Sequence, residues 1–451
     1  MTDASRETVS PQARAQRLRE ALRESPPLLW SFLYFFCLLT GYYVLRPVRE
    51  AMGASADVGA IFPPWMIDGF TAVGVPLNEL VLQVLFTGTF LIMLVLQPAY
   101  GWLVSRWPRR VFLPTVYAFF IASALLFYLA FHVELPGRGM LFFFWVTVFN
   151  LFAVSVFWSF MADIYSTAEA RRLYGYIGAG GTLGAFLGPV LTRLLVERIG
   201  VAQLLLISVG FLTLCIVCIL RLRRYAVLRE RQRHLRSGEQ AIGGDVLAGL
   251  KLIVREPLMR AMAVLMVFGV GVGTLLYNEQ AAIARSAFPD AESRTAFYAG
   301  IDLAVNGLTL IIQLFLTRWL LSRFGLAPVL LIPAGAILIG YCALAAAPLP
   351  LLVAVVQVMT RAGEFSLAKP GRETIYTQVE REWRYKASAA IDTVVYRGGD
   401  LCFVWLHKLL SLGGSTLVFV AGAATAAAFG WSALRLLREH ARLPVRSASE
   451  G

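Results

Sequence analysis

The sequence predicts an all-α membrane protein of twelve transmembrane helices in two six-helix repeats. Three observations carry this. The 451 residues are 58% hydrophobic and 15% charged, with mean hydropathy +0.67, far too apolar for a soluble chain of this length. Apolar runs of about twenty residues, enough to cross a hydrocarbon core of roughly 30 Å as helices, recur along the whole chain. One long polar stretch divides them six and six.

The elements follow in order. Residues 1–27 are polar and Arg-rich, a cytoplasmic tail without the apolar core of a secretory signal. The N-terminal six-helix bundle, 28–220, holds runs at 28–45, 80–104, 111–131, 140–164, 173–195 and 201–220. A cytoplasmic linker spans 221–257 and opens RLRRYAVLRERQRHLR. Two roles are open for it, a basic amphipathic helix on the membrane surface or a solvated connection. The C-terminal bundle, 258–438, holds runs at 258–284, 296–320, 326–346, 349–370, 389–410 and 414–436, and 439–451 is a second cytoplasmic tail.

Charge in the connections sets orientation. Arg6, Arg14, Arg17, Arg19 and Arg23, then Arg106, Arg109 and Arg110, then Arg171 and Arg172, the linker, and finally Arg435, Arg438, Arg442 and Arg446 all fall on one side. That side is the cytoplasm, so both termini are expected inside and the chain is expected to be a multi-pass membrane protein. The net charge of +13 thus reports topology, and no nucleic-acid partner is implied. The expected partners are the lipid bilayer and a small-molecule solute, with the chain acting as a monomer.

All five cysteines (Cys37, Cys215, Cys218, Cys342, Cys402) fall inside predicted spans, so no disulfide framework or metal site is implied. The four histidines (His132, His234, His407, His440) show no ligand spacing, and no Walker loop is present. Neither an enzyme nor a cofactor is expected. In YGYIGAGGTLGAFLGP, Gly178 and Gly180 fit a dinucleotide loop, but Leu183 takes the third glycine position and no strand precedes it. Gly180, Gly184 and Gly188 recur every fourth residue instead, a smooth helix face for close approach by a neighbour, whether for static packing or for sliding.

The halves echo each other. Ile164-Tyr165-Ser166, Glu169 and Tyr174 recur as Ile375-Tyr376-Thr377, Glu380 and Tyr385 at an offset of 211. Trp102-Leu103-Val104-Ser105-Arg106 recurs as Trp319-Leu320-Leu321-Ser322-Arg323 at an offset of 217. Parallel internal repeats of this kind place a transporter's site at their interface near the midplane.

Charged residues inside spans are the candidates for that site, because each costs roughly 2.5–3.5 kcal/mol at a helix centre unless it faces a partner or a wet cavity. They are Arg46 and Arg49 at the end of the first run, Glu279 in the seventh, Asp302 in the eighth, Arg361, Glu364 and Lys369 in the tenth, and Asp392, Arg397 and Asp400 in the eleventh. Two roles are open for the set: mutual pairing that locks the bundle, or a charged solute pathway. Arg46 and Arg49, three apart, share a face if the helix passes Pro47 unbroken, and snorkelling at a span end is the competing role. Glu279 is open to a cap, an ion pair or proton binding, and Glu364 with Lys369 suggests a mutual pair.

Gly101-Trp102-Leu103-Val104-Ser105-Arg106-Trp107-Pro108-Arg109-Arg110 resembles the Gly-x-Leu-x-Asp-Arg-x-Gly-Arg-Arg loop of the major facilitator superfamily, with Ser105 in place of Asp and Pro108 in place of Gly. Within that superfamily, Pro370, Arg372 (where the family has Lys), Glu373, Tyr376, Lys386, Ala390, Ile391, Asp392, Arg397 and Gly399 resemble the nucleotide translocases, the ATP/ADP exchangers of plastids and obligate intracellular bacteria. Leu45-Arg46 with Arg49-Glu50, and Phe157-Trp158-Ser159-Phe160-Met161-Ala162-Asp163 followed by Glu169-Ala170-Arg171-Arg172-Leu173-Tyr174, extend the resemblance. It implies a major-facilitator-like fold and solute exchange. The departures bear on substrate: Glu364 and Asp400 stand where the translocases carry Lys, and Lys369 where they carry Asp. The expected function is therefore secondary transport, by antiport or proton coupling, of a small organic anion. Nucleotide exchange is the first alternative, and a receptor or lipid scramblase on a transporter fold the second.

Overall fold

A computed structural model describes residues 11–106, 109–234, 246–379, 387 and 390–442. The start of the N-terminal tail, residues 235–245 of the linker, Glu380, Tyr385 and Lys386 of the repeat and family patterns, and the last nine residues lie outside them. The described residues are helical, with no strand among them. The long helices are α1 (Pro11–Gly53), α2 (Val81–Arg106), α3 (Arg109–His132), α4 (Arg138–Ile164), α5 (Thr167–Ile199), α6 (Val201–His234), α7 (Pro257–Ala287), α8 (Ala291–Phe324), α9 (Leu326–Ala346), α10 (Pro350–Tyr376), α11 (Tyr396–Ser411) and α12 (Ser415–Ala441). Ten of them contain a segment long and apolar enough to cross a membrane, among the described residues. The exceptions are α2, whose described apolar part is Val81–Leu96, and α11, which is 16 residues long.

Two helices run past their expected ends. The first apolar run stops at residue 45 in the sequence, but α1 continues through Pro47 to Gly53. Proline removes one backbone donor and strains the preceding turn. Here Val44, Leu45, Val48, Ala51 and Met52 are all buried, and that packing holds the segment helical. Likewise α6 carries on to His234, so the basic stretch after residue 220 begins as an extension of a span, and a short helix, Val246–Arg255, precedes α7.

Apolar burial falls into two principal clusters. One is built almost wholly from α1, α3, α4, α5 and α6, around Tyr34, Tyr117, Phe142, Phe149 and Phe157. The other is built from the residues after 252, around Met259, Met262, Tyr341, Phe419 and Phe429. Alternating chain direction brings the ends of α1, α7 and α11 and the starts of α2, α8 and α12 to one end of the bundle. There a smaller cluster joins the two sets: Ala51, Ala54 and Leu82 pack with Ala281, Ala284, Tyr298 and Val404.

The glycine face of α5 meets α1. A Cβ at Gly180 would lie 2.6 Å from the Phe32 carbonyl oxygen, and one at Gly184 would strike the Phe36 carbonyl and stand 3.0 Å from the Thr40 nitrogen. The missing side chains bring the two backbones together, and Thr192 donates to the Val44 carbonyl across the contact at 3.0 Å.

Among the described residues, π turns in the second half include Gln313–Thr317 in α8, Glu364–Ala368 in α10 and Ile391–Val395 leading into α11. The first two sit side by side, and Pro370 explains why. Lacking an N–H, it leaves carbonyls one turn back without a helical donor. Thr317 Oγ1 donates to the Ser366 carbonyl at 2.8 Å and Gln313 Nε2 to the Phe365 carbonyl at 3.1 Å, so α8 supplies what Pro370 withholds.

Candidate functional site

Between the two sets of helices lies a cavity of about 560 Å³. Its lining comes from α1, α2 and α4 on one side and α7, α8, α10, α11 and the turn before α11 on the other. That volume falls in the range of small-molecule sites.

The cavity gathers most of the candidate charges. Arg46, Arg49, Arg361, Glu364, Lys369, Asp392, Arg397 and Asp400 all line it; Glu279 and Asp302 do not. Asp302 stands directly behind the wall. Its Oδ1 lies 3.5 Å from Arg46 Nη1 and 2.8 Å from Arg361 Nη2, tying α1 to α10 through α8. Arg46 also reaches Glu50 one turn on, at 3.7 Å, and its guanidinium lies over the Tyr43 ring. The side chain is only 15% exposed, so it is held inside the bundle and does not snorkel to an interface. Arg49 pairs with Glu50, donates to Thr147 at 3.2 Å and sits over the Phe143 ring. Glu50 in turn accepts a hydrogen bond from the Tyr277 hydroxyl of α7.

Lower along α10 the expected pair is replaced. Glu364 is bound by Arg372, at 2.6 and 3.3 Å, while Lys369 is exposed to the cavity. The guanidinium fork matches both carboxylate oxygens at once, which a single ammonium cannot do. In α11 Arg397 Nη1 lies 3.5 Å from Asp400 Oδ2, and Asp400 Oδ1 accepts from Thr274 of α7 at 2.8 Å. Asp392 lies exposed in the π turn below them.

Glu279 has a different partner. It is buried away from the cavity against His407 of α11, 2.9 Å from the imidazole Nε2. Asn306, one turn from Asp302, donates to the Ala185 carbonyl of α5 at 2.6 Å.

Sequence reasoning left Glu50, Tyr277, Arg372 and Glu373 out of the site. Glu50 was detectable as the acid four residues after Arg46, and Arg372 and Glu373 belong to the family pattern. Tyr277 carried no signal, because a tyrosine in an apolar helix is ordinary core. Among the described residues, the lining holds six cations (Arg46, Arg49, Arg361, Lys369, Arg372, Arg397) and five anions (Glu50, Glu364, Glu373, Asp392, Asp400). Asp302 behind the wall makes these described charges even.

Apposed apolar helix sets around a charged cavity the size of a small-molecule site define a multi-pass membrane transporter. The chain belongs to the Major Facilitator Superfamily, whose sequence model matches residues 58–399. Among characterised relatives, the ADP,ATP carrier protein 1 of Chlamydia trachomatis is 22% identical over an alignment covering 91% of this chain and 87% of that one. The plastidic ATP/ADP-transporter of Solanum tuberosum is 23% identical over 80% of this chain and 63% of its own length. Two solved structures share the fold. An auto-inhibited POT family peptide transporter superposes with TM-score 0.62 at 13% identity, covering 94% of this chain and 98% of that one. A mutant of the nucleoside transporter NupG does so with TM-score 0.63 at 12% identity, covering 91% and 99%.

Proposed function

We propose that the protein is a secondary transporter that moves a small organic anion across a bacterial inner membrane by alternating access, through exchange or proton coupling. In this scheme twelve helices cross the bilayer as two six-helix repeats, both termini are cytoplasmic, and the Gly53 end of α1 faces outward.

The observation that carries the proposal is that arginines from both helix sets, Arg46 and Arg49 on one side and Arg361 and Arg397 on the other, line one cavity. Rocking of one set against the other would move a solute held between them from one face to the other. Guanidinium forks favour carboxylate or phosphate, and their resident carboxylates hold the site near neutrality when it is empty. A solute anion then displaces Glu50 or Asp302 from an arginine, or enters with a proton that neutralises one of them.

A second function, nucleotide exchange, is favoured by the names of the relatives. Against it stands the charge balance, since a nucleotide triphosphate needs several uncompensated cations, and Glu364 and Asp400 each hold an arginine.

The test is reconstitution into liposomes with a panel of labelled mono- and dicarboxylates and phosphate esters. Saturable uptake of at least one is expected, abolished by Arg49→Ala and by Arg397→Ala while both variants still fold, with Arg→Lys recovering only part. Undiminished uptake in both alanine variants would remove the arginines from the site.

A further inference from the structure

The cavity that gathers the arginines also has an uncharged end. Gln280 on α7, Tyr298 on α8, Gln357 and Thr360 on α10 and Thr89 on α2 all line it, and each is only 2–7% exposed. Helix spacing places three of them. Tyr298 lies four residues before Asp302 and Gln357 four before Arg361, so both stand one turn nearer the Gly53 end than the Asp302–Arg361 contact, on the same helix faces. Gln280 lies three residues beyond Tyr277, whose hydroxyl meets Glu50, and is one turn nearer that end as well. Tyr298 and Ala281, the neighbour of Gln280, belong to the apolar cluster that joins the two helix sets. Beyond its arginines, the cavity therefore ends in a polar roof without charge.

Hydrogen bonding left unmade sets this roof apart. Gln280 Oε1, Gln357 Oε1, Tyr298 Oη, Thr360 Oγ1 and Thr89 Oγ1 are buried, and among the described residues none of these atoms has a hydrogen-bond partner. Buried polar atoms are nearly always paired, because stripping one of water without return is costly. The arginines and acids next to the roof do bind one another. All five roof side chains are neutral, and each both donates and accepts, through an amide or a hydroxyl. An ammonium group would find no counter-charge among them, a carboxylate is better served by the arginines, and an alkyl tail would leave the five oxygens unpaired. Alcohols match. Each hydroxyl gives and takes a hydrogen bond, and a chain of carbons presents one at every step, as five separate partners require.

We infer that the solute is a polyhydroxy anion, a sugar acid or sugar phosphate, held with its charged group among Arg46, Arg49 and Arg361 and its hydroxyls against Gln280, Tyr298 and Gln357. This rests on the anion transport proposed above and narrows its solute. The roof supplies selectivity: an analogue lacking the hydroxyls buries the same oxygens unpaired, and sites built in this way reject such analogues strongly. The arginines hold either anion alike, so they set affinity for the charge and leave the choice between the two to the roof.

The test is isothermal titration calorimetry of the purified full chain with two matched pairs, gluconate against hexanoate and glycerol 3-phosphate against propyl phosphate, which differ in hydroxyls and not in the charged group. In at least one pair the hydroxylated member should bind about tenfold more tightly or better, and the pair that responds tells carboxylate from phosphate. Gln280→Met, Gln357→Met and Tyr298→Phe keep the size of the side chain and remove its hydrogen bonding. Each should lower the ratio about threefold or more, with melting curves identifying the variants that fold. Arg49→Ala should weaken both members of the responding pair together and leave their ratio in place. Equal binding within both pairs would mean that the roof meets only water and would overturn the inference, as would a ratio untouched in every folded roof variant, or no binding of any probe. If Arg49→Ala left both affinities unchanged while the roof variants lowered the ratio, the hydroxyl subsite would be supported and the role of the arginines overturned.

Discussion

Asp302 carries the most demanding prediction. Its carboxylate is almost fully buried and stands between two guanidinium groups, 3.5 Å from Arg46 and 2.8 Å from Arg361. At an effective dielectric of 20 those separations correspond to gross attractions of about 5 and about 6 kcal/mol. Most of that is offset by the desolvation of three ions, but removing one member of a buried set leaves the others uncompensated, at a net cost of about 3–5 kcal/mol. Asp302→Asn keeps the shape and deletes the charge. It should lower the apparent melting temperature of purified protein by at least about 3 °C, followed by intrinsic tryptophan fluorescence. Adding Arg361→Met should return more than about 1 kcal/mol of the loss, because the unpaired cation is then gone. The freed arginines should also strengthen stabilisation by added organic anions. A variant that melts with the parent, or an Arg361→Met effect that simply adds to the first, would refute the ion-triad argument.

Further predictions concern packing, backbone satisfaction and topology. Gly184→Leu forces side-chain atoms into the α1 backbone at Phe36 and Thr40 and should destabilise by about 1–3 kcal/mol or more, seen as a lower melting temperature, while the same change at Gly178, where a Cβ meets nothing, should be near neutral. Thr317→Val removes the hydroxyl that satisfies the Ser366 carbonyl and should cost about 1–3 kcal/mol by the same readout; in a Pro370→Ala background the restored backbone N–H should reduce that cost. A cysteine at Ala56 should react with an impermeant thiol reagent in intact cells, and one at Ser237 should react only after permeabilisation; labelling of Ser237 from outside would reverse the orientation.

The all-helical, membrane-type fold was legible in the sequence because membrane helices announce themselves by length and hydropathy. Partners were less legible than membership of the site. Arg46, Arg361 and Arg397 stood out as charges that apolar helices would not carry without reason, but which acid each one meets depends on helix rotation and on the π turns, which no periodicity encodes. Glu364 illustrates this. Five residues from Lys369 and eight from Arg372, it binds the more distant one, because the turn that Pro370 and Thr317 shape brings the guanidinium to it. Glu279 shows the converse: a charge that looked like part of the pathway is turned toward His407 instead. Ser55 lies in what reads as an outer loop, but the extension of α1 to Gly53 buries it against Arg294.

The most direct test of the central claim, that a charge-balanced cavity carries a small organic anion and serves polyphosphates poorly, is uptake of labelled ATP into proteoliposomes preloaded with ADP, run beside the carboxylates and phosphate esters. Each exchange of Lys for an acid changes local charge by two units. Even a residual penalty of about 1.4 kcal/mol is a tenfold loss of affinity for a nucleotide carrying four negative charges. The expected result is no ATP flux above that of empty liposomes, together with saturable uptake of a smaller anion. Rapid, saturable ATP/ADP exchange would contradict the claim and would mean that Glu364 and Asp400, through Arg372 and Arg397, do not set the charge that the solute meets.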